Sequence, residues 1–358
     1  MKKFLALTLA LMMTLTLVAC GGSGSSSSSG STTPAASDSS STPAASGSGE
    51  TSFPSMTLKI ALSATDTSTW ADGLRYFDQL VQEATGGAVK CEIYASDQLT
   101  AGNQTEGIQA VIDGTTDMSV HSNIIYSNFD QRFNVVSLPF LFATTDDADK
   151  ALDGAGGEAL NAVAEGMGLH LVGIMENGFR HVTNNVHPIE KMADMKGLKI
   201  RVAGSQLLNR MYELWGANYT NANWSEVFTG LQTGTYEGQE NPLPTADSAS
   251  IAEVTKYLTY WTGTYDCLFF TINQELYDSM SPELQAIIDE AGAQAATYQR
   301  GINREQDEEI MARWEKDYGI QITRLSDEAA EEFRQTALPC YDEFRATLTA
   351  EVMAAFGL

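Results

Sequence analysis

Basic residues, histidines and cysteines are scarce in this chain of 358 residues: 21 Lys+Arg stand against 46 Asp+Glu, with 4 His and 4 Cys. The formal net charge of −25 excludes nucleic acid and anionic lipid headgroups as partners, since both would be repelled. No C-x-x-C occurs, and besides Cys20 the cysteines Cys91, Cys267 and Cys340 form an odd, widely spaced trio. That pattern is neither a zinc site nor a disulfide framework; buried free thiols are expected, with one bridged pair left open. H-E-x-x-H, G-x-S-x-G, a phosphate loop and EF-hand spacing are all missing. His181 and His187 flank "VTNNV" at a spacing that fits no ligand pattern, so solvated loop histidines, no metal and no cofactor are expected.

What is present begins with "MKKFLALTLALMMTLTLVAC", two lysines before an apolar stretch too short for a comfortable membrane span. This is the form of a secretory signal. Its end, Leu17-Val18-Ala19-Cys20, resembles a bacterial lipobox, in which the cysteine is diacylated and becomes the mature N-terminus. Residues 1–20 are therefore expected to be a lipoprotein signal peptide with Cys20 as the lipid anchor, two acyl chains giving stable attachment. Residues 21–53 are rich in Ser, Gly and Pro and have no apolar face to bury. They are expected to be a disordered tether with a root-mean-square reach of roughly 30 Å. The folded part then sits outside the cytoplasm, on the outer face of the cell membrane.

The remainder is long enough for two lobes and alternates strand and helix patterns. "MTLKIALSA", "AVKCEIYA", "MSVHS", "LHLVGIM", "MKGLKIRVAG", "CLFFTIN" and "IQITRL" predict strands. Helices are predicted over "TSTWADGLRYFDQLVQEATGG", capped by Thr67 or Ser68 and closed by Gly86-Gly87 with Leu74, Phe77, Val81 and Ala84 inward, over "NQTEGIQAVIDGTTD", and over roughly 145–166. Further helices are predicted over "SQLLNRMYELWG", "WSEVFTGLQTG" and "ADSASIAEVTKYL", and as one final capped helix from Ser326. "GAGGEA" at 154–159 and "LQTGTYEGQENP" at 231–242 read as loops. From Ser281-Pro282 a helical pattern continues without proline to about Tyr318, long enough to span two lobes.

Candidates for chemistry are few. Glu237 and Glu240 are two carboxylates in the spacing-poor setting of one loop, where facing each other across a bond is disfavoured. Arg180 lies just past a strand in "NGFRHVTNN", and Arg201 lies inside "LKIRVAG", flanked directly by the apolar Ile200 and Val202. An arginine so placed either finds a carboxylate partner in the fold or forks a ligand carboxylate in a cleft. Trp224, Trp261, Tyr236 and Tyr265 suit a core or a cleft wall.

The run "GLKIRVAGSQLLNRMYELWGANYTNANWSEVFTGLQTGTYEGQENP" resembles the signature region of the solute-binding proteins of tripartite ATP-independent periplasmic (TRAP) transporters, the DctP family. "QEATGGAVKCEIYASDQL", "LPFLF" and "NGFRHVTNN" match in order, and the resemblance covers nearly everything from Met56 onwards. It implies an α/β fold, a two-lobed clamp like the type II periplasmic binding proteins, with a long helix across both lobes. Residues 54–177 plus 266–305 would form the first lobe, and 178–265 plus 306–358 the second. The family's carboxylate-binding arginine falls on Arg201, a second cleft arginine on Arg180, the cleft asparagine on Asn241 and a ligand-walling aromatic on Trp224. Pocket positions also fall at Ser63 and Ser122, and Trp70 near the first strand would suit stacking on a sugar ring. The resemblance implies a monomeric, non-catalytic binding protein that delivers a small carboxylate to TRAP permease subunits for ion-coupled uptake. A uronate or other sugar acid is favoured over a four-carbon dicarboxylate. A ligand-sensing lipoprotein and a secreted carbohydrate-active enzyme using Glu237 and Glu240 are the alternatives.

Overall fold

The computed structural model describes residues 53–358. The expected signal peptide, Cys20 and the tether up to residue 52 lie outside the described residues, whereas Phe53 is partly buried against the core. The alternating stretch Met56–Leu62 forms β1, and α1 (Thr69–Thr85) starts at Ser68, whose hydroxyl accepts from the Ala71 N–H. Leu74, Phe77 and Val81 face inward; Ala84 is exposed and Thr85 takes its place, so the buried stripe drifts by one residue over the last turn. There follow β2 (Val89–Tyr94), α2 (Gln104–Ile112), β3 (Met118–Ser122) and the single turn α3 (Asn123–Tyr126). Two helices, α4 (Thr145–Leu152) and α5 (Ala155–Glu165), stand where one was expected. Gly154 separates them, and the glycine-rich stretch expected as a loop opens α5.

Strand β4 (Leu169–Phe179) is followed after one residue by β5 (His181–Asn184), then β6 (Lys199–Val202), α6 (Gln206–Leu214) and β7 (Asn218–Asn221). Next come α7 (Val227–Thr233), β8 (Gly238–Asn241), α8 (Leu243–Ser248), β9 (Tyr257–Tyr260) and β10 (Tyr265–Asn273). The chain ends with α9 (Gln274–Asp278), α10 (Pro282–Arg304), α11 (Asp307–Arg313), β11 (Gln321–Arg324), α12 (Asp327–Ala337), α13 (Pro339–Leu348) and α14 (Ala350–Ala355).

Two sheets define two lobes. The first has the order β2-β1-β3-β10-β4, parallel on the β2-β1-β3 side and antiparallel around β10. The second has the order β11-β9-β5-β8-β6-β7. The chain crosses between them three times: at Arg180 between β4 and β5, between β9 and β10, and between α10 and α11. The first two crossings are tied together, the Arg180 N–H donating to the Thr264 carbonyl at 2.9 Å.

The long helical pattern is not one rod. It stops at Arg304 and restarts at Asp307, with α10 packed on α1 and β4 of the first lobe and α11 packed on α8 of the second. Asp307, Glu308 and Glu309 crowd the first turn of α11, where the helix dipole favours negative charge. The face of α10 approaches β4 closely at Gly292: a Cβ there would lie 2.4 Å from the Val172 carbonyl oxygen. The C-terminal segment is likewise three helices rather than one. Ser326 caps the first, with α12 and α13 on α6 and α14 on α5.

Two short polar stretches depart from expectation. The segment Gly238–Asn241 is a fully buried strand between β5 and β6, and the expected helix over "ADSASIAEVTKYL" breaks into α8, a 3-10 turn and β9. Gly238 is where side-chain bulk is forbidden, a Cβ lying 2.5 Å from the Thr183 carbonyl oxygen. The glycine that turns the chain is Gly234, at φ 74°.

Candidate ligand-binding cleft

The ends of the elements converge on one narrow cleft between the lobes. From the first lobe, the residues after β1 bring Ser63 and Ala64, the first turn of α1 brings Trp70, and the start of α2 brings Gln104. The end of β3 brings Ser122, α3 brings Ile125, and β4 brings Asn177. Arg180 enters at the crossing. From the second lobe, β6 and the residue after it contribute Arg201 and Ala203, a 3-10 turn Trp224, the end of β8 Asn241, and α8 Thr245. All seven side chains expected at a site, Ser63, Trp70, Ser122, Arg180, Arg201, Trp224 and Asn241, thus line the same cavity.

The two arginines are both buried but differ in what they meet. Arg180 donates through Nε to Glu240, through Nη1 to Asp266, and through Nη2 to the Glu240 carboxylate and carbonyl, both at 2.9 Å. Burial works against its charge, and Glu240 and Asp266 outweigh burial, so its pKa is raised. Asp266 is pushed up by burial, opposed by Arg180 and by hydrogen bonds from Ser122 and Asn177. Glu240 also accepts the Ala203 N–H at 2.9 Å.

Arg201 has no carboxylate within ion-pair distance among the described residues. Its Nε and Nη2 donate to one backbone carbonyl, that of Ala222, at 3.0 and 2.6 Å, and its Nη1 has no hydrogen-bond partner. The guanidinium lies 5.7 Å over the Trp224 ring, which holds it by cation–π attraction on one side. Burial, reinforced by the like charge of Arg180, pushes its pKa down to about 10 despite Glu240. At neutral pH it remains a buried cation with unspent donors.

Two further groups are unsatisfied. The Ser63 hydroxyl and the Trp70 indole Nε1 are buried without a hydrogen-bond partner. Asn241 donates its amide to Gln239 at 3.1 Å, and Ser122 donates to Asp266 at 2.7 Å. The rim of the cleft is closed by bonds between the lobes: Trp224 N–H to Gln104 at 3.2 Å, Ser225 to the Gly102 carbonyl at 3.1 Å, and Asn128 to the Gly204 carbonyl at 2.8 Å.

Other candidates fall elsewhere. Glu237 accepts the Lys199 N–H at 2.9 Å, and Glu240 is held by Arg180, so the two carboxylates do not face a common substrate. His181 is buried on β5 and stacked on Tyr260 at 4.2 Å, not solvated, because its strand is interior to the sheet. Among the described residues no cluster of ligating side chains fits a metal ion. Cys91, Cys267 and Cys340 are free. Trp261, Tyr236 and Tyr265 belong to the core. Sequence reasoning did not find Asn177 and Asp266; both lie at strand ends just outside the apolar runs, Asn177 beside Glu176 in β4 and Asp266 beside Tyr265 in β10.

Residues 60–347 match the sequence profile of the family described as bacterial extracellular solute-binding protein, family 7 (DctP). The 2,3-diketo-L-gulonate-binding periplasmic protein of Escherichia coli (strain K12) is 33% identical over 271 residues, 76% of this chain and 82% of that protein. The sugar acid binding protein of Advenella mimigardefordensis, solved in complex with galactonate, superposes with a TM-score of 0.81 at 28% identity, covering 86% of this chain and 98% of that one. A TRAP periplasmic solute-binding protein of Sulfitobacter sp. NAS-14.1 with bound β-D-galacturonate gives a TM-score of 0.79 at 27% identity, covering 84% and 98%.

Proposed function

Because the chain belongs to the DctP family of TRAP solute-binding proteins, we propose that it captures a small organic acid between its lobes and delivers it to TRAP permease subunits for ion-coupled uptake. The observation that carries this is Arg201, a buried guanidinium without a counter-ion facing the cleft. A ligand carboxylate is the group that would satisfy it, taking two parallel hydrogen bonds from its fork. Charge-assisted hydrogen bonds contribute roughly 1.5–3 kcal/mol each, so a few suffice for the roughly −8 kcal/mol of micromolar binding. The bonds between the lobes at the rim then favour the shut form, which a ligand touching both lobes would populate.

The bound acid is, on this reading, a sugar acid, with a uronate the first candidate, in keeping with the unsatisfied Ser63 and Trp70 donors and with relatives bound to galactonate and galacturonate. Asn241 orients a ligand oxygen, Trp224 walls the site, and Ser122 and Arg180 shape its floor. The protein acts without catalysis, since Glu237 and Glu240 are both engaged by the fold. It works as a monomer outside the cytoplasm, anchored through lipid on Cys20 to the outer face of the membrane. No described helix is long and apolar enough to cross a membrane.

A thermal-shift screen of organic and sugar acids tests the reading. A ligand at 100 times its Kd adds about 2.7 kcal/mol of stability. Arg201→Lys keeps the charge but not the fork, and is expected to weaken binding by roughly 100-fold. Wild-type affinity in that variant would remove Arg201 from the assigned role.

A further inference from the structure

We propose that the cleft selects acids with a single carboxylate and an uncharged oxygen at the far end, and that Trp70 and Ser63 recognise that oxygen. The inference rests on the carboxylate-binding reading above and narrows it.

Of the two guanidiniums that line the cavity, Arg180 is already paired with two carboxylates, Glu240 and Asp266, which leaves Arg201 as the one lining cation with no ion-pair partner to offer a ligand. The first-lobe wall made by Ser63, Ala64, Trp70, Gln104, Ser122 and Ile125 contains no cation. The arginines nearest that lobe's hinge are engaged: Arg304 with Glu176 and Asp149, Arg300 with Asp149 and Asp153. A second carboxylate pushed against this wall would lose its water without gaining a counter-ion. It would also approach Asp266, which stands behind Ser122 at hydrogen-bond distance. Desolvation and like charge both reject it.

The same wall carries a pair of unmet polar groups. The indole Nε1 of Trp70 can only donate, and it is buried with nothing to receive its hydrogen. The Ser63 hydroxyl is in the same condition. An alkyl chain would leave both unmet, which is costly in a closed cavity. A hydroxyl or carbonyl oxygen meets them without bringing charge. In this proposal Trp70 acts through its indole N–H.

The test is calorimetry on matched pairs of hydroxy monoacids and diacids of three to six carbons, such as gluconate with glucarate and galactonate with galactarate, with hexanoate as the deoxy control. The monoacid of at least one pair is expected to bind, its diacid and hexanoate at least about 100-fold more weakly. Trp70→Phe, which keeps an aromatic side chain and removes the donor, is expected to weaken the monoacid roughly 10-fold. Asp266→Asn is expected to narrow the gap between monoacid and diacid. A diacid bound as tightly as its monoacid, or full affinity in Trp70→Phe, overturns the proposal. If that diacid binding is lost in Arg201→Ala, the carboxylate reading stands and only the selectivity falls. If no acid of any pair binds, both fall together.

Discussion

Arg180 and Arg201 line one cavity, are equally hidden from water, and stand in opposite electrostatic conditions. Arg180 spends four of its N–H groups on Glu240 and Asp266, drawing partners from both lobes onto the strand crossing. Arg201 spends its bonds on one carbonyl and leans on an aromatic ring. The contrast separates two jobs that arginine does in proteins. A guanidinium with its carboxylates supplied by the fold is a structural tie. On the function proposed above, one whose carboxylate is withheld is a recognition group, and the fold bears its desolvation until a ligand arrives.

The largest effect that would break this comparison is on stability. Arg180→Ala strands two carboxylates in the interior and is expected to cost about 3–5 kcal/mol in a urea titration. A loss below about 1 kcal/mol would mean the pair is hydrated and the contrast false. A smaller effect of opposite sign is expected from Arg201→Met, which removes an uncompensated charge. The free protein should be unchanged or about 1 kcal/mol more stable by the same titration, while ligand-induced stabilisation disappears. The smallest concerns an exposed pair. Arg334 and Gln335 hold the Glu331 carboxyl down to about 2. A depressed acid stabilises above its unfolded pKa and loses that contribution as pH falls through its folded one. The difference in melting temperature between wild type and Glu331→Gln should therefore be slight at pH 5 and vanish towards pH 2; a difference that grows on acidification would contradict the assignment.

Legibility in the sequence followed the range of the interactions. The caps at Ser281 and Ser326 and the inward Leu74, Phe77 and Val81 of α1 are local and matched expectation, and of the two caps open to α1 it is Ser68 that serves. An arginine between the apolar Ile200 and Val202 of β6 was visible for the same reason. What stayed hidden depends on distant partners. Gly-Gln-Glu-Asn has poor strand propensity, and it becomes β8 because β5 and β6 pair on both its sides. The tie from Arg180 to Asp266 spans 86 residues, so nothing in "NGFRHVTNN" announced which of the two arginines was already satisfied. The break at Glu305–Gln306 lacks proline or glycine; it is set by two lobes that each claim part of one helical pattern.

The few bonds that close the rim have a consequence for letting go. A charge pair 4 Å apart is worth about 4 kcal/mol at an effective dielectric of 20 and about 1 kcal/mol in bulk water. Parting Trp224 from Gln104 and Ser225 from Gly102 would flood the Arg201 side with solvent. On the proposed function, a receiving protein need not pull the acid off the arginine. Prising the rim apart is enough, because water then competes for both ends of the contact.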